Sequence, residues 1–197
     1  FIPGTGVKQS YAMPGQPSFI VPANDGSMVI GMGLGLYRTH AGILGDQIAV
    51  IDGEVLDRTN DATVDSKGRI WFGTMDSAET SATGAVHLYD GRTLQTVGGV
   101  CTITNGPAIS PDGRYAAVAI VQGSNTPSAG WIHHPRGQVV LLRVDTQVVT
   151  RVDAHPVGAL PEGIAFSPCS RYLYVGNFLD SELQILEIRQ DRLIEPG

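Results

Sequence analysis

The sequence predicts an all-β fold built from repeated four-stranded units, and three observations support this fold class. The 197 residues include 25 glycines and 12 prolines, spread along the chain as expected for many short strands joined by turns. No segment shows a helical hydrophobic period over about 11 residues. One pattern also occurs four times: a polar or small residue, a short apolar run, a turn and then a strand.

Each repeat is predicted to contain a β-hairpin. The turns "DGS", "SKGR" and "PDGR" supply residues that tolerate a positive φ angle or that favour a turn. The runs after the turns, "SMVIGM", "RIWFGT", "RYAAVAI" and "RYLYVGN", are rich in the residues of buried strands. Aligning the repeats on their turn residues predicts one unbroken register. The aligned turn residues are Gly26, Gly68, Gly113 and Ser170.

The length of the repeat predicts a β-propeller. Ser18, Asn60, Asn105 and Glu162 lie eight positions before the turn residues and are separated by 42, 45 and 57 residues. A four-stranded blade needs about 40–50 residues, and the longest interval contains "VQGSNTPSAGWIHHPRG", which is typical of an inserted loop. Sandwich and barrel folds remain open, although neither predicts this register. We expect a single propeller domain or partial propeller, with blade-like units at about 17–57, 58–102, 103–160 and 161–197.

The composition excludes several classes of partner. The net charge is −6, and the only lysines are Lys8 and Lys67, so we expect neither nucleic acid nor an anionic membrane as a partner. No apolar stretch reaches the roughly 18 residues of a membrane-spanning helix. The N-terminal residues lack the pattern of a signal peptide, which favours a soluble cytoplasmic protein. A mature exported protein would lack it too, so the periplasm and the exterior stay open.

Three segments of the second and third units resemble a known family. They read "RTNDATVDSKGRIWFGTMD" from Arg58, "GAVHLYDG" from Gly84 and "TNGPAISPDGRY" from Thr104, and they are similar to the regucalcin/gluconolactonase (senescence marker protein) family of six-bladed propellers. The last unit, "LPEGIAFSPCSRYLYVGNFLDSELQILEI", also resembles lactonase-like repeat propellers with seven blades. The resemblance implies a divalent-metal-dependent lactonase that hydrolyses a sugar lactone or a similar small ester.

The resemblance also implies roles for individual residues. A metal-binding Asn of the family corresponds to Asn105, and the position of a metal-binding Asp is occupied by Glu162. The substrate-binding Arg and Asn of the family correspond to Arg58 and Asn60. A family Glu shortly after "GTM" has its nearest counterpart, displaced by one position, in Glu79, which we expect to contact substrate.

The repeat predicts a ring of polar groups at the mouth of the central channel. A constant register places Ser18, Asn60, Asn105 and Glu162 around it. We expect Asn105, Glu162 and Asn60 to hold the metal, and Glu162 also to act as general base. Such oxygen ligands suit Ca²⁺, our first expectation, or Mg²⁺; Mn²⁺ and Zn²⁺ remain open. The alternative is that both asparagines simply cap turns.

A second hypothesis about the function follows from the blades of the family that have no counterpart among the four units. The opening "PGQPSFIVPANDGSMVIGMGLGLYRTH" resembles the second blade of the family, so we expect the first blade, with its metal-binding Glu, and a final blade to be missing. The alternative function is therefore a non-catalytic repeat module for ligand binding or self-assembly, as a fragment or a recombined chain. An incomplete ring exposes strand edges, so we expect a homo-oligomer that completes the propeller.

Overall fold

The computed structural model describes residues 10–55, 57–128, 130, 133–146 and 148–196. These residues form strands and turns, and they contain no helix, hence none long and apolar enough to cross a membrane. The strands are β1 (Pro17–Pro22), β2 (Met28–Met32), β3 (Gly35–His40), β4 (Ile43–Val50), β5 (Asp57–Val64), β6 (Ile70–Asp76), β7 (Gly84–Tyr89), β8 (Leu94–Cys101), β9 (Thr104–Ile109), β10 (Tyr115–Ile120), β11 (Gln138–Val144), β12 (Val149–Pro156), β13 (Pro161–Phe166), β14 (Tyr172–Asn177), β15 (Glu182–Arg189) and β16 (Arg192–Ile194).

The strands form four antiparallel sheets, each made of four strands consecutive in the chain. We call them blades 1 to 4 in chain order. The first strands of the blades, β1, β5, β9 and β13, pack against one another in succession, as the innermost strands of a β-propeller do. Within the described residues, no packing of comparable extent joins blade 1 to blade 4. The all-β propeller prediction is confirmed, and the four blades form an open arc.

Apolar side chains fill each junction between consecutive blades. Phe72 of blade 2 packs with Phe19 and Leu36 of blade 1, whereas Trp71 on the opposite face packs against blade 3. Blades 3 and 4 share a third cluster that includes Leu141 and Leu173. Because both faces of blades 2 and 3 are covered, their central strands β6 and β10 are buried along their whole length.

The prediction of one unbroken register is wrong beyond the turns. In blade 2 the hairpin is closed by a bond from Asp65 N to Arg69 O, with three residues between them. In blade 3 the corresponding bond runs from Ser110 N to Tyr115 O, with four residues between them. Blade 1 closes its hairpin like blade 2, and blade 4 like blade 3. Side chains alternate between the two faces of a sheet. The extra residue in the turn therefore puts the aligned residues of β6 and β10 on opposite faces of their blades.

The turn of "VDSKGRIW" is organised by the nearly buried carboxylate of Asp65. It accepts bonds from the backbone N–H groups of Lys67 (2.9 Å) and Arg69 (3.0 Å), and from the side chains of Arg69 (2.7 Å) and Trp71 (2.9 Å). Burial alone raises the pKa of Asp65, but the bonds from Trp71 and Arg69 outweigh it and lower that pKa below its usual value. The turn thereby fixes the fully buried Trp71, which fills the junction with blade 3.

Blade 2 also buries a neutral imidazole. His87 lies on β7, where its Nε2 is 3.1 Å from the Thr74 hydroxyl and its Nδ1 is 3.1 Å from the Thr96 hydroxyl. Its ring stacks on Phe72 with centroids 5.1 Å apart. Because burial penalises the charged form, the pKa of His87 is lowered from 6.5 to about 4.

We expect this imidazole to make the stability of the fold depend on pH. The unfolded chain binds a proton at His87 near pH 6.5, whereas the folded chain binds it only near pH 4, so stability is lost as the pH falls between these values. The loss attributable to His87 is about 3 kcal/mol at pH 4. Denaturant unfolding from pH 7 to pH 4 should show a smaller loss in His87→Gln, which keeps polar groups but does not titrate. If the free energy of unfolding falls equally with pH in the wild type and in the variant, the loss is not due to His87.

Candidate functional site

Three of the predicted site residues, Asn60, Asn105 and Glu162, lie at or beside β-bulges in the innermost strands. In β5 the residues between Thr59 and Ala62, which are Asn60 and Asp61, face a single residue of β6. Similar irregularities follow Asn105 in β9 and Pro161 in β13, and another lies at Ser18 in β1. A bulge re-aims side chains, and bulges are common at the rims of barrels and next to active sites.

Hydrogen bonds between these bulges connect three blades. The Asn60 side-chain N–H donates to the Thr104 backbone carbonyl (2.7 Å) and to the Asn105 side-chain carbonyl (3.2 Å). Asn105, which is buried, donates in turn to the Pro161 carbonyl of blade 4 (3.0 Å). The structure thus brings Asn60 and Asn105 into direct contact and places the start of β13 beside them.

Ser18 also contacts the neighbouring blade, but through a different residue. Its hydroxyl lies 2.6 Å from the Thr59 hydroxyl, so blade 1 is linked to blade 2 one residue before Asn60. Asp61 adds a second cross-blade contact, since its carboxylate accepts a bond from Gly106 N (3.2 Å). Asp61 is exposed, and this bond places its carboxylate next to the residue that follows Asn105.

Arg58 is held at the edge of this network. One of its terminal N–H groups donates to the Thr59 carbonyl (3.0 Å) and to the Asn60 side-chain carbonyl (2.9 Å). The side chain is half-buried, and no ion pair involving it occurs among the described residues. An arginine has five N–H donors, so most of its hydrogen-bonding capacity remains available to a ligand.

The two predicted glutamates have different surroundings. Glu162 follows Pro161, is exposed, and makes none of the side-chain hydrogen bonds found in the described part of the chain. Glu79 lies in the turn after β6, where it has a positive φ of 56° and accepts a bond from Asn125 (3.1 Å). The structure therefore places Glu162 next to the asparagine network, whereas Glu79 contacts a loop of blade 3 instead.

The turn that carries Glu79 is fixed by Asp76. The Asp76 carboxylate accepts bonds from the backbone N–H groups of Ala78 (2.9 Å), Thr80 (3.0 Å) and Ser81 (3.0 Å). These bonds, that of Ala78 first, lower the pKa of Asp76 and keep it charged. The substrate-binding role of Glu79 stays a prediction.

The donors at the blade ends have the chemistry of a hard-cation site. They are the amide oxygens of Asn60 and Asn105 and the carboxylates of Glu162 and Asp61, and oxygen ligands of this kind suit Ca²⁺ or Mg²⁺. Asn105 already accepts a hydrogen bond from Asn60, but a carbonyl oxygen has a second lone pair. No group of three or more His, Cys, Asp or Glu side chains suited to a metal ion occurs among the described residues. The type of donor thus fits a divalent metal, with few charged ligands.

The sequence did not reveal the backbone groups of the site. The Thr104 and Pro161 carbonyls hold the two asparagines, but a carbonyl group leaves no residue-specific signal. The glycines after Asn105 and Glu162 were the available hint of a bulge, since glycine inside a strand pattern often marks one.

Comparisons with known proteins show which proteins this chain resembles. The chain is 29% identical over 150 residues to 6-deoxy-6-sulfogluconolactonase of Pseudomonas putida, a match that covers 75% of this chain and 49% of that protein. The fold is similar to that of the gluconolactonase XC5397 of Xanthomonas campestris, with 19% identity, a TM-score of 0.60, and coverage of 92% of this chain and 62% of the other. It is also similar to the calcium-binding protein regucalcin of Agrobacterium tumefaciens, with 18% identity, a TM-score of 0.52, and coverage of 84% and 69%.

The extent of these matches defines the relationship. The chain spans half or less of the length of the curated relatives it matches, 17%, 41% and 49% for three of them. Residues 1–127 match the family model described as the SMP-30/gluconolactonase/LRE-like region, which is more than half of the chain. The chain belongs to the SMP-30/gluconolactonase/LRE-like family.

Proposed function

We propose that the protein is a divalent-metal-dependent lactonase that hydrolyses a sugar lactone or a similar small ester. The observation that carries this proposal is the hydrogen-bonded set of Arg58, Asn60 and Asn105, with the exposed carboxylate of Glu162 at the start of the next blade. Membership of the family and the lactonase names of two similar proteins support the same reaction class.

The residues that would hold the metal are Asn105, Glu162 and Asn60, with the Asp61 carboxylate within the same network. Ca²⁺ is the expected ion because all of these donors are oxygens, and because one similar protein is described as calcium-binding. When bound, such an ion supplies a Lewis acid that polarises a carbonyl group.

The chain's own groups then have distinct tasks in the reaction. Glu162 accepts a proton from water as the water oxygen bonds to the acyl carbon of the lactone. The acyl carbon–ring oxygen bond breaks, and the ring oxygen receives the proton to become a hydroxyl group. Arg58 donates N–H groups to the oxygens of the substrate and orients it, because part of its guanidinium makes no hydrogen bond among the described residues. Asn60 uses both side-chain N–H groups on Thr104 and Asn105, and its side-chain carbonyl holds Arg58 in place.

Hydrolysis of glucono-δ-lactone in a pH-stat tests the proposal. The rate should exceed the spontaneous rate in the presence of Ca²⁺, Mg²⁺, Mn²⁺ or Zn²⁺, fall to the spontaneous rate with EDTA, and return when one metal is added back. A panel of other aldonolactones serves as the second substrate set. A folded protein that accelerates none of them with any metal would contradict the proposal.

A second candidate function, self-assembly, is favoured by the open face of blade 4. Leu183 and Ile185 of β15 are 66% and 40% exposed. Through their pairing with β14 they occupy the positions that Val139 and Leu141 occupy in blade 3. Those two residues are fully buried against blade 4, so the stripe of Leu183 and Ile185 continues an interface that the blades already use. We propose that a second copy of the chain covers this stripe with its own.

Charge on the stripe should prevent this association. Leu183→Lys and Ile185→Lys are expected to shift the protein from a homodimer to a monomer, because a buried lysine without a partner is costly. Light scattering over a range of concentrations measures the mass. Val100→Lys, which replaces another exposed apolar residue on a strand of blade 2, is the matched control and should leave the dimer intact. A wild-type chain that is monomeric at every concentration would refute the dimer.

A further inference from the structure

A cavity of about 540 Å³ lies where the start of β5 meets the turns of blades 1 and 2. It is bounded by the segment before β1, by the β2–β3 turn, and by the first residues after β6. Its apolar wall is formed by Met32, Leu34, Tyr37 and Val55. A cavity of this size is within the range of small-molecule sites, which are largely apolar with a few well-placed polar groups.

Among the described residues that line this cavity, Arg58 carries the positive charge. Its terminal N–H group is tied to Thr59 and Asn60, which fixes the guanidinium without neutralising it. Asp57 also lines the cavity, but its carboxylate accepts bonds from Glu54 N (2.9 Å) and from the Thr83 hydroxyl. Asp57 is therefore held by neutral donors, and among the described residues it forms no ion pair with Arg58, whose guanidinium stays available to a ligand.

Two further polar side chains line the same cavity. Gln16 supplies an amide and Ser77 a hydroxyl, and neither takes part in the side-chain hydrogen bonds found among the described residues. A planar guanidinium with a free edge, flanked by neutral donors, matches the geometry of an oxyanion better than that of a sugar hydroxyl. Such a set of groups is suited to a carboxylate, phosphate or sulfonate.

We propose that this cavity binds an acidic substituent on the sugar lactone, with Arg58 as its main contact. This inference rests on the proposed lactonase function, because the same Arg58 is hydrogen-bonded to Asn60 and so joins the cavity to the candidate catalytic network. The substrate class is an aldonolactone that carries a sulfonate, a phosphate or a second carboxyl group. Arg58 acts here as a specificity residue, whereas Glu162 carries out the chemistry.

Calorimetric titration with sugars that cannot be hydrolysed separates binding from turnover. The probes are glucose, glucose 6-phosphate, 6-deoxy-6-sulfoglucose and glucuronate, with inorganic phosphate and sulfate as controls for the bare anion. We expect at least one acidic sugar to bind the wild-type protein ten times or more tightly than glucose. Comparison of the three acidic sugars identifies which oxyanion is preferred.

Variants assign this preference to Arg58. Arg58→Met should bring the affinity for the acidic sugar to that for glucose, and Arg58→Lys should keep part of the preference. Arg38→Met is the matched control, because Arg38 is paired with Asp25 at the surface, and it should change nothing. If Arg58→Met does not fold, the salt dependence of the wild-type affinities provides the second measurement, since the affinity for an ionic contact should fall with added salt.

Three results would overturn the inference: equal affinities for charged and neutral sugars, a preference that survives in Arg58→Met or is insensitive to salt, or bare anions that bind as tightly as acidic sugars. Measuring the same sugar affinities with the Glu162→Gln variant keeps this test independent of the reaction. Acidic-sugar preference without lactone turnover would contradict the proposed function alone. Turnover with a preference for neutral lactones would contradict the present inference alone.

Discussion

Glu162→Gln is expected to lower kcat for lactone hydrolysis by about 10²–10⁴-fold, because the amide cannot accept the proton of the attacking water. The two side chains have nearly the same size, and Glu162 is exposed and makes no side-chain hydrogen bond among the described residues, so the fold should be unaffected. Initial rates in the pH-stat, at saturating lactone and metal, measure the effect. Unfolding in denaturant should give the same midpoint for variant and wild type.

Two carboxylate controls make this result specific. Glu54→Gln neutralises another exposed glutamate and should leave kcat unchanged. Glu79→Gln tests the predicted contact with substrate, which would raise KM with little change in kcat. If Glu162→Gln retains wild-type turnover, Glu162 is not the general base.

The fold could be predicted from the sequence because turns and buried strands leave strong local signals. The turn residue, a glycine in three of the four hairpins, and the apolar run after it mark the repeat, and these two signals were enough to predict four-stranded blades. The one-residue difference between the hairpins of Asp65 and Ser110 could not be predicted in this way. Both hairpins contain the same glycine, and only the backbone bond that closes the loop distinguishes three residues from four.

The candidate site, too, could be predicted only in part from the sequence. The contact of Asn60 with Asn105 follows from the repeat, since equal positions in adjacent blades lie close together. The surroundings of Glu79 do not follow from any repeat, because they depend on the turn held by Asp76 and on Asn125, 46 residues further along the chain. The cavity beside Arg58 likewise combines side chains from separate turns, whose approach is set by packing of the blades.

Gly73→Ala should be among the most destabilising single substitutions, because a methyl group there would overlap the side chain of Thr104. Gly73 lies on the central strand β6, and Thr104 begins the innermost strand of the next blade. Neither side of this contact can move freely, since Thr104 also donates a hydrogen bond to the Thr74 carbonyl (3.3 Å). We expect a loss of about 3 kcal/mol in the free energy of unfolding, at the upper end for an overpacked site.

The consequence should reach the candidate site, since the Thr104 carbonyl holds Asn60 and Asn105 is the next residue. Gly73→Ala should therefore weaken both metal binding and sugar binding in calorimetry. Thr104→Gly removes the overlapping atoms, so the double variant Gly73→Ala/Thr104→Gly should lose less stability than the sum of the single losses. Gly176→Ala is the matched control, since its methyl group would meet only ordinary contacts at 3.7 Å or more. Additive losses in the double variant would show that the two residues do not compete for space. Unchanged metal and sugar binding in Gly73→Ala would show that the blade 2–blade 3 contact does not position the asparagines.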